Sequence, residues 1–121
     1  MSRILFATVL ILASGLTHAA ICNPGDLVGT YTGDIYLGGE ASETTFNMND
    51  NGELVGKYIL SDYRYDNPGR LYNLVMSADN VLTGNCEDKF GVGTITFRFS
   101  DDCRSFTGYW DNENNSWLGQ K

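Results

Sequence analysis

The sequence predicts an all-β protein, a small antiparallel up-and-down β-barrel of about eight strands, with a two-sheet β-sandwich as the alternative. Short apolar–polar alternations follow one another along the chain between turn residues, and no stretch has helical periodicity. A five-residue phrase also recurs: an apolar residue, a small or aliphatic one, a glycine, a spacer and usually an aromatic. Its copies lie at 27–31, 54–58, 82–86, 106–110 and 117–121.

The first half of the chain predicts a meander of four strands. A turn at Asn23–Asp26 leads into a strand over about 27–37, and a second strand follows at about 43–49. Asn51-Gly52 then predicts a tight type I′ hairpin turn, because asparagine and glycine both tolerate left-handed backbone. The third strand covers about 53–61, and the fourth covers about 70–77 after a longer connection.

The second half continues the meander. The third copy of the phrase predicts a strand over about 81–86, and the clearest alternation predicts the next one over about 92–100. A turn precedes a strand over about 105–110, and a short last strand covers 116–120. A meander of this many short strands usually closes on itself, which removes its exposed edges. Glycine inside a strand fits this closure, since it permits bending and close backbone approach.

The N-terminal segment 1–19 predicts a signal peptide. Arg3 is followed by the apolar run Ile4–Leu16, and Thr17-His18-Ala19 offers a small-residue cleavage site. The run is too short for a typical membrane span, so no membrane insertion is expected. The remaining residues 20–121 are then a single β-barrel domain, which we expect to be secreted or periplasmic.

Counting strands assigns every connection to one of two ends. The end that holds the N-terminus, which we call the base, receives the tight turns 50–52, 78–80 and 101–103; the opposite end, which we call the open end, receives the longer connections 38–42, 62–69, 87–91 and 111–115. Binding residues tend to lie on loops held by a rigid scaffold, so the open end is the predicted ligand site. Tyr63, Arg64 and Tyr65 are its most distinctive group.

The three cysteines predict one disulfide and one free thiol. Cys22 and Cys103 both lie at the base, whereas Cys86 lies at the open end of the fifth strand. A strand of about eight residues at roughly 3.3 Å per residue separates Cys86 from Cys103, while a disulfide needs Cα atoms within about 7 Å. We therefore predict a Cys22–Cys103 disulfide and a buried free thiol at Cys86.

Charge and residue usage exclude several functions. Eight Lys and Arg against 15 Asp and Glu give a net charge of −7, which disfavours nucleic acid as a partner. The single histidine, His18, lies in the predicted signal peptide. The domain would therefore lack the usual general base and any imidazole metal ligand. Carboxylates that are neighbours in a turn, such as Asp101-Asp102, do not face each other across a cleft. We expect no enzyme, no metal and no cofactor.

The stretch Phe90–Gly108, FGVGTITFRFSDDCRSFTG, resembles the fifth-to-sixth-strand hairpin of the avidin-like β-barrels, and the phrases at 27–31 and 52–58 resemble strands of the same family. The resemblance implies a barrel and places six residues at positions that line the family's pocket: Tyr58, Phe97, Phe99, Ser100, Phe106 and Trp117. Departures at four further positions, Gly33, Leu60, Asp102 and Arg104, make biotin an unexpected ligand.

Together these observations predict an exported, non-catalytic β-barrel that binds a small molecule or a protein. The candidate ligand-binding residues are Tyr58, Tyr63, Arg64, Tyr65, Phe97, Trp110 and Trp117. A barrel interior of this size is either filled by side chains or holds one small ligand, and the sequence alone leaves both open. The alternative is an exported inhibitor or an envelope- or host-interaction protein that acts through its surface, with a filled barrel.

Overall fold

The computed structural model describes residues 21–61 and 68–121, which form eight β-strands closed into one antiparallel barrel. The up-and-down barrel is confirmed and the sandwich is not found. The predicted signal peptide and the group Tyr63–Tyr65 lie outside the described residues. The strands are β1 (Gly29–Ile35), β2 (Glu40–Met48), β3 (Leu54–Leu60), β4 (Gly69–Met76), β5 (Val81–Asp88), β6 (Gly91–Phe99), β7 (Ser105–Trp110) and β8 (Ser116–Gln120).

Each strand pairs with its neighbour in sequence, and β8 returns to pair with β1. The closing register sets Ile35 opposite Trp117 and Thr32 opposite Gln120. Closure leaves the barrel without a free edge strand. Because side chains alternate across a strand, every second residue points into the barrel. The pattern is clearest in β6, where Ile95, Phe97 and Phe99 are buried.

The chain enters the barrel through a short 3₁₀ helix rather than an extended strand. This helix covers Pro24–Leu27, where the sequence predicted a turn and the start of a strand. Proline suits the first helical position because its missing N–H would be unpaired there in any case. The Asn23 backbone N–H donates to Asp26 Oδ2 at 2.9 Å, and Leu27 is fully buried. The predicted turn is therefore a single 3₁₀ turn, and β1 begins at Gly29 rather than at the predicted residue 27.

The turn between β2 and β3 differs from the predicted type I′ turn. Gly52 has φ 77°, but Asn51 is not among the residues with positive φ. Gly52 N–H donates to the Asn49 carbonyl at 2.9 Å, and Asn49 N–H donates to the Glu53 carbonyl at 2.8 Å. The hairpin therefore has a three-residue loop that ends on one left-handed glycine, the next most common hairpin solution after two-residue loops.

A bulge in β4 explains an apolar run that fits no simple alternation. Asn73 has φ 56°, and the pairing with β5 shifts between Tyr72 and Val75. Before the bulge Leu71 is buried, and after it Leu74 packs against the core. A bulge adds one residue to one strand, so inward positions change from odd to even numbers.

Aromatic rings fill the barrel from its middle to its base. Phe97 stacks on Phe106 with ring centroids 4.2 Å apart, and the Tyr31 ring meets Phe106 edge-on at 5.5 Å. A Cβ atom on Gly119 would lie 2.4 Å from the Phe106 ring. The recurring glycine thus leaves room for a ring from a neighbouring strand. Phe46 and Phe99 complete this ring cluster.

The base is closed by a covalent bond and by buried hydrogen bonds. The predicted Cys22–Cys103 disulfide is confirmed, and Cys86 is a buried free thiol. The Tyr31 hydroxyl donates to the Cys103 carbonyl at 2.7 Å, and the Cys22 N–H donates to Asn80 Oδ1 at 2.8 Å. An intramolecular disulfide fits an oxidising, extracellular compartment. Across the described ranges no helix is long and apolar enough to span a membrane.

Candidate functional site

A cavity of about 350 Å³ lies at the open end. It lies among three connections of the barrel, those between β1 and β2, β5 and β6, and β7 and β8. Its volume is within the usual range for small-molecule sites, roughly 300–1,000 Å³. The wall combines five aromatic side chains with three carboxylates: Tyr36, Tyr58, Phe90, Trp110 and Trp117, with Glu40, Asp88 and Asp111.

Four of the five aromatic side chains meet in a continuous chain of edge-to-face contacts. Tyr58 and Trp117 have ring centroids 4.9 Å apart at 77°, and Trp117 and Trp110 are 6.1 Å apart at 86°. Tyr36 then contacts Trp110 at 5.0 Å. Trp117 is also anchored by its indole N–H, which donates to Thr44 Oγ1 at 3.2 Å. Because such contacts hold each ring against the next, the aromatic wall is preformed.

Tyr58 is held in place from two sides. Its hydroxyl donates to Asp88 Oδ2 at 2.7 Å, which links β3 to β5, the two strands that flank β4. Gly69, its partner on β4, lies directly against the ring, since a Cβ atom there would be 2.0 Å from Tyr58 Cζ. Any larger residue at position 69 would have to displace the ring. The polar end of Tyr58 therefore stays at the cavity wall.

Two of the carboxylates are fixed by backbone amides near the turns of the open end. Asp88 Oδ1 accepts a hydrogen bond from Phe90 N–H at 2.8 Å, and Asp111 Oδ1 accepts one from Thr94 N–H at 3.0 Å. Both side chains line the cavity, so negative charge lies at the cavity wall.

The thiol of Cys86 is part of the same wall. Burial, and to a smaller extent the negative charges of Asp111 and Asp88, raise the pKa of Cys86 from 9.0 to about 11. The thiol is therefore protonated at neutral pH, whereas a cysteine nucleophile needs a lowered pKa. The geometry gives Cys86 a packing role.

Exposed apolar side chains surround the cavity. Tyr36 and Leu37 project from the β1–β2 connection, and Phe90 and Val92 lie at the β5–β6 connection. Leu37 is 81 % exposed and Phe90 is 76 % exposed. Large apolar side chains bordering a concave site provide contact area for a ligand or a partner.

The structure brings together three of the sequence-predicted binding residues. Tyr58, Trp110 and Trp117 line the cavity. Phe97 is fully buried in the ring cluster and is not among the lining residues. The three predicted residues Tyr63–Tyr65 belong to the segment 62–67, outside the described part of the chain.

The six positions implied by the avidin resemblance coincide only in part with the residues that line the cavity. Of the six positions that it implies, Tyr58 and Trp117 line the cavity. Phe99 and Phe106 belong to the ring cluster, and Ser100 lies in the β6–β7 turn at the base, where its hydroxyl donates to Asp102 Oδ1 at 2.6 Å.

Sequence reasoning missed the acidic and aromatic side chains that the open-end turns supply. Tyr36, Phe90 and Asp111 each lie just before or within a connection that was already assigned to this end. Their only signal in the sequence was that position. Within residues 21–61 and 68–121, no group of three or more His, Cys, Asp or Glu side chains is placed to hold a metal ion.

Comparison with known proteins adds no family to this description. No protein-family model matches the chain, and neither the curated proteins nor the solved structures contain a significant match.

Proposed function

We propose that this protein is an exported, non-catalytic binding protein that holds a small molecule in the open end of its barrel. The observation that carries the proposal is the cavity of about 350 Å³ with a preformed aromatic wall at the end opposite the closed base. A concave site lined by aromatic residues with a few polar groups is the usual form of a ligand pocket.

Export and the absence of catalysis rest on further observations. The N-terminal pattern of a basic residue, an apolar run and a small-residue site supports a signal peptide, and the disulfide fits the compartment that export leads to. The chain's one histidine, His18, precedes the domain, and the pKa of the cavity thiol is raised. Both features support binding without catalysis. The avidin-like family offers a precedent for a small barrel with a ligand at one end.

Native mass spectrometry of the protein purified from the cells that secrete it tests the proposal. We expect a bound mass of small-molecule size that is lost on unfolding. Trp110→Ala should lose this mass, because Trp110 joins two other rings of the wall. Tyr72→Ala is the matched control, since Tyr72 is a half-buried aromatic on β4 outside the cavity. Equal retention in both variants would count against the cavity as the site.

A second candidate function is supported by the exposed side chains around the cavity. Leu37 and Phe90 would favour a protein partner that covers the open end. The protein would then be an inhibitor or an interaction factor that acts through its surface. A purified protein without any retained small molecule, combined with a protein complex that Leu37→Asp and Phe90→Asp both weaken, would favour this function instead.

A further inference from the structure

The ionisable side chains of the cavity wall determine whether the cavity favours a cationic or an anionic ligand. Glu40, Asp88 and Asp111 are its carboxylate side chains, and no lysine or arginine is found among the described residues that line it. Lys89 lies next to these residues, with its Nζ 5.4 Å from the centroid of the Phe90 ring. The segment 62–67, which connects β3 to β4, contains Asp62, Arg64 and Asp66. Its sequence therefore has one more acid than base and does not reverse the sign.

The aromatic side chains define the rest of the chemistry. Tyr58, Trp117, Trp110 and Tyr36 form a series in which successive ring planes are inclined by 67° to 86°. Rings at steep angles can contact one ligand group from several sides. Tryptophan and tyrosine attract cations through the negative face of the ring, and aromatic cages with carboxylates are a recurring solution for binding ammonium groups.

We infer that the cavity binds a small organic cation, an ammonium group that carries an apolar or aromatic substituent. The carboxylates attract the charged group, and the aromatic wall covers the substituent and contacts the cation. This inference rests on the proposed function and narrows it to one chemical class.

The chain offers a site-specific readout. Its two tryptophans are Trp110 and Trp117, and both line the cavity. Tryptophan fluorescence and the two indole N–H signals in NMR spectra therefore report only on this site. Three probes of similar size separate charge from shape: phenethylamine is a cation at neutral pH, phenylethanol is uncharged and phenylacetate is an anion.

We expect phenethylamine to bind with at least about tenfold higher affinity than phenylethanol, with an affinity that falls as salt is added. Phenylacetate should bind more weakly than both. Asp111→Asn should weaken phenethylamine binding about three- to fivefold and change phenylethanol binding less, so that the preference for the cation narrows. The variant keeps an oxygen to accept the Thr94 N–H, and asparagine tolerates the left-handed backbone at this position, where φ is 59°.

Asp101→Asn is the matched control, since it makes the same change of charge in an exposed turn at the base. It should leave the affinities for all three probes unchanged. Equal affinity for phenethylamine and phenylethanol would overturn the cation inference and leave the proposed function standing. So would a preference for phenylacetate. If no probe perturbed the two tryptophans, the inference would also fail, while the retained mass in native mass spectrometry would still decide the proposed function.

Discussion

The two ends of the barrel are built from the same strands but for different purposes. At the base a disulfide, a 3₁₀ turn that buries Leu27 and the hydrogen bond of the Tyr31 hydroxyl close the interior. At the open end the strands lead into connections that carry exposed apolar side chains and carboxylates around a cavity. Buried apolar contacts and paired polar groups contribute stability, whereas concave sites with exposed rims recognise ligands.

A single strand can contribute large side chains to the filled base and a glycine to the open end. In β6, Phe97 and Phe99 fill the interior near the base, and Gly93 lies near the open end of the same strand. A side chain at Gly93 would come within 2.5 Å of Asp111 Oδ1 and 3.3 Å of Cys86 Sγ. Large residues toward one end and glycine at the other give one barrel both a filled core and an open cavity.

The largest expected loss of stability comes from removing the disulfide at the base. Cys22 and Cys103 are 81 residues apart in sequence, and the chain-entropy model for a loop of that length gives roughly 4–5 kcal/mol of stabilisation. We expect the double variant Cys22→Ala/Cys103→Ala to lose about this much free energy of unfolding, as measured by urea titration. Cys86→Ala is the control for removing a buried sulfur at the other end, and it should lose about 1 kcal/mol. Equal losses would contradict the assignment of stability to the base.

A second test makes the same substitution at both ends. Leu27→Ala removes a fully buried side chain beneath the barrel, whereas Leu37→Ala removes one that is 81 % exposed beside the cavity. Buried leucine-to-alanine changes cost about 2–5 kcal/mol, and exposed changes usually stay within about 0.5 kcal/mol. Thermal or urea unfolding of the two variants measures the difference. A similar cost at both positions would mean that Leu37 packs in the protein as Leu27 does.

The sequence could predict the barrel and the disulfide because both follow from counting. Alternation assigns faces, and each strand reverses the direction of the chain, so Cys22 and Cys103 must meet at one end while Cys86 lies at the other. These constraints hold even where strand limits are off by two residues, as at β1. The β4 bulge could not be predicted in this way, since a left-handed Asn73 has no distinct signal within an apolar run.

The cavity could not be predicted from the same patterns. Phe97 and Trp117 are both buried aromatic residues at inward positions of a strand, yet Phe97 stacks in the core and Trp117 lines the cavity. Whether a ring is covered depends on residues from other strands that meet it, such as Phe106 beneath Phe97. That information lies in the packing of the closed barrel and not in any single strand.

A third prediction uses one buried acid near each end. Burial raises the pKa of Tyr31, near the base, from 10.0 to about 12, and burial also raises that of Cys86, in the cavity wall, from 9.0 to about 11. Folding therefore favours the uncharged phenol and the uncharged thiol. Each group stabilises the fold fully below its unfolded pKa, and this contribution is lost as the pH rises through its folded pKa. A shift of this size lowers the free energy of unfolding by on the order of 2–3 kcal/mol per group once the pH has passed the folded pKa.

Urea unfolding from about pH 8 to about pH 12 should show both losses. In the wild type the free energy of unfolding should fall first between pH 9 and 11, through Cys86, and then between pH 10 and 12, through Tyr31. Cys86→Ala should remove the earlier part of the fall, and Tyr31→Phe should remove the later part. An unchanged pH profile in both variants would show that neither group is responsible.

The smallest expected effect is at Lys121. Its Nζ donates to the Asp26 and Val28 carbonyls at 2.9 Å each, which ties the residue after β8 to the 3₁₀ helix at the base. Partial burial lowers the pKa of Lys121. Its two hydrogen bonds are open to solvent, so they contribute little net free energy to folding. Lys121→Met should cost at most about 1 kcal/mol in urea unfolding and leave the open-end cavity unaffected.

Lys57→Met is the control for that substitution, because Lys57 is an exposed lysine on β3. It should leave the free energy of unfolding within about 0.5 kcal/mol of the wild type. If Lys121→Met also changed the fluorescence of Trp110 and Trp117, the two ends would be coupled through the strands between them. A change confined to stability would instead support a base that closes the barrel independently of the cavity.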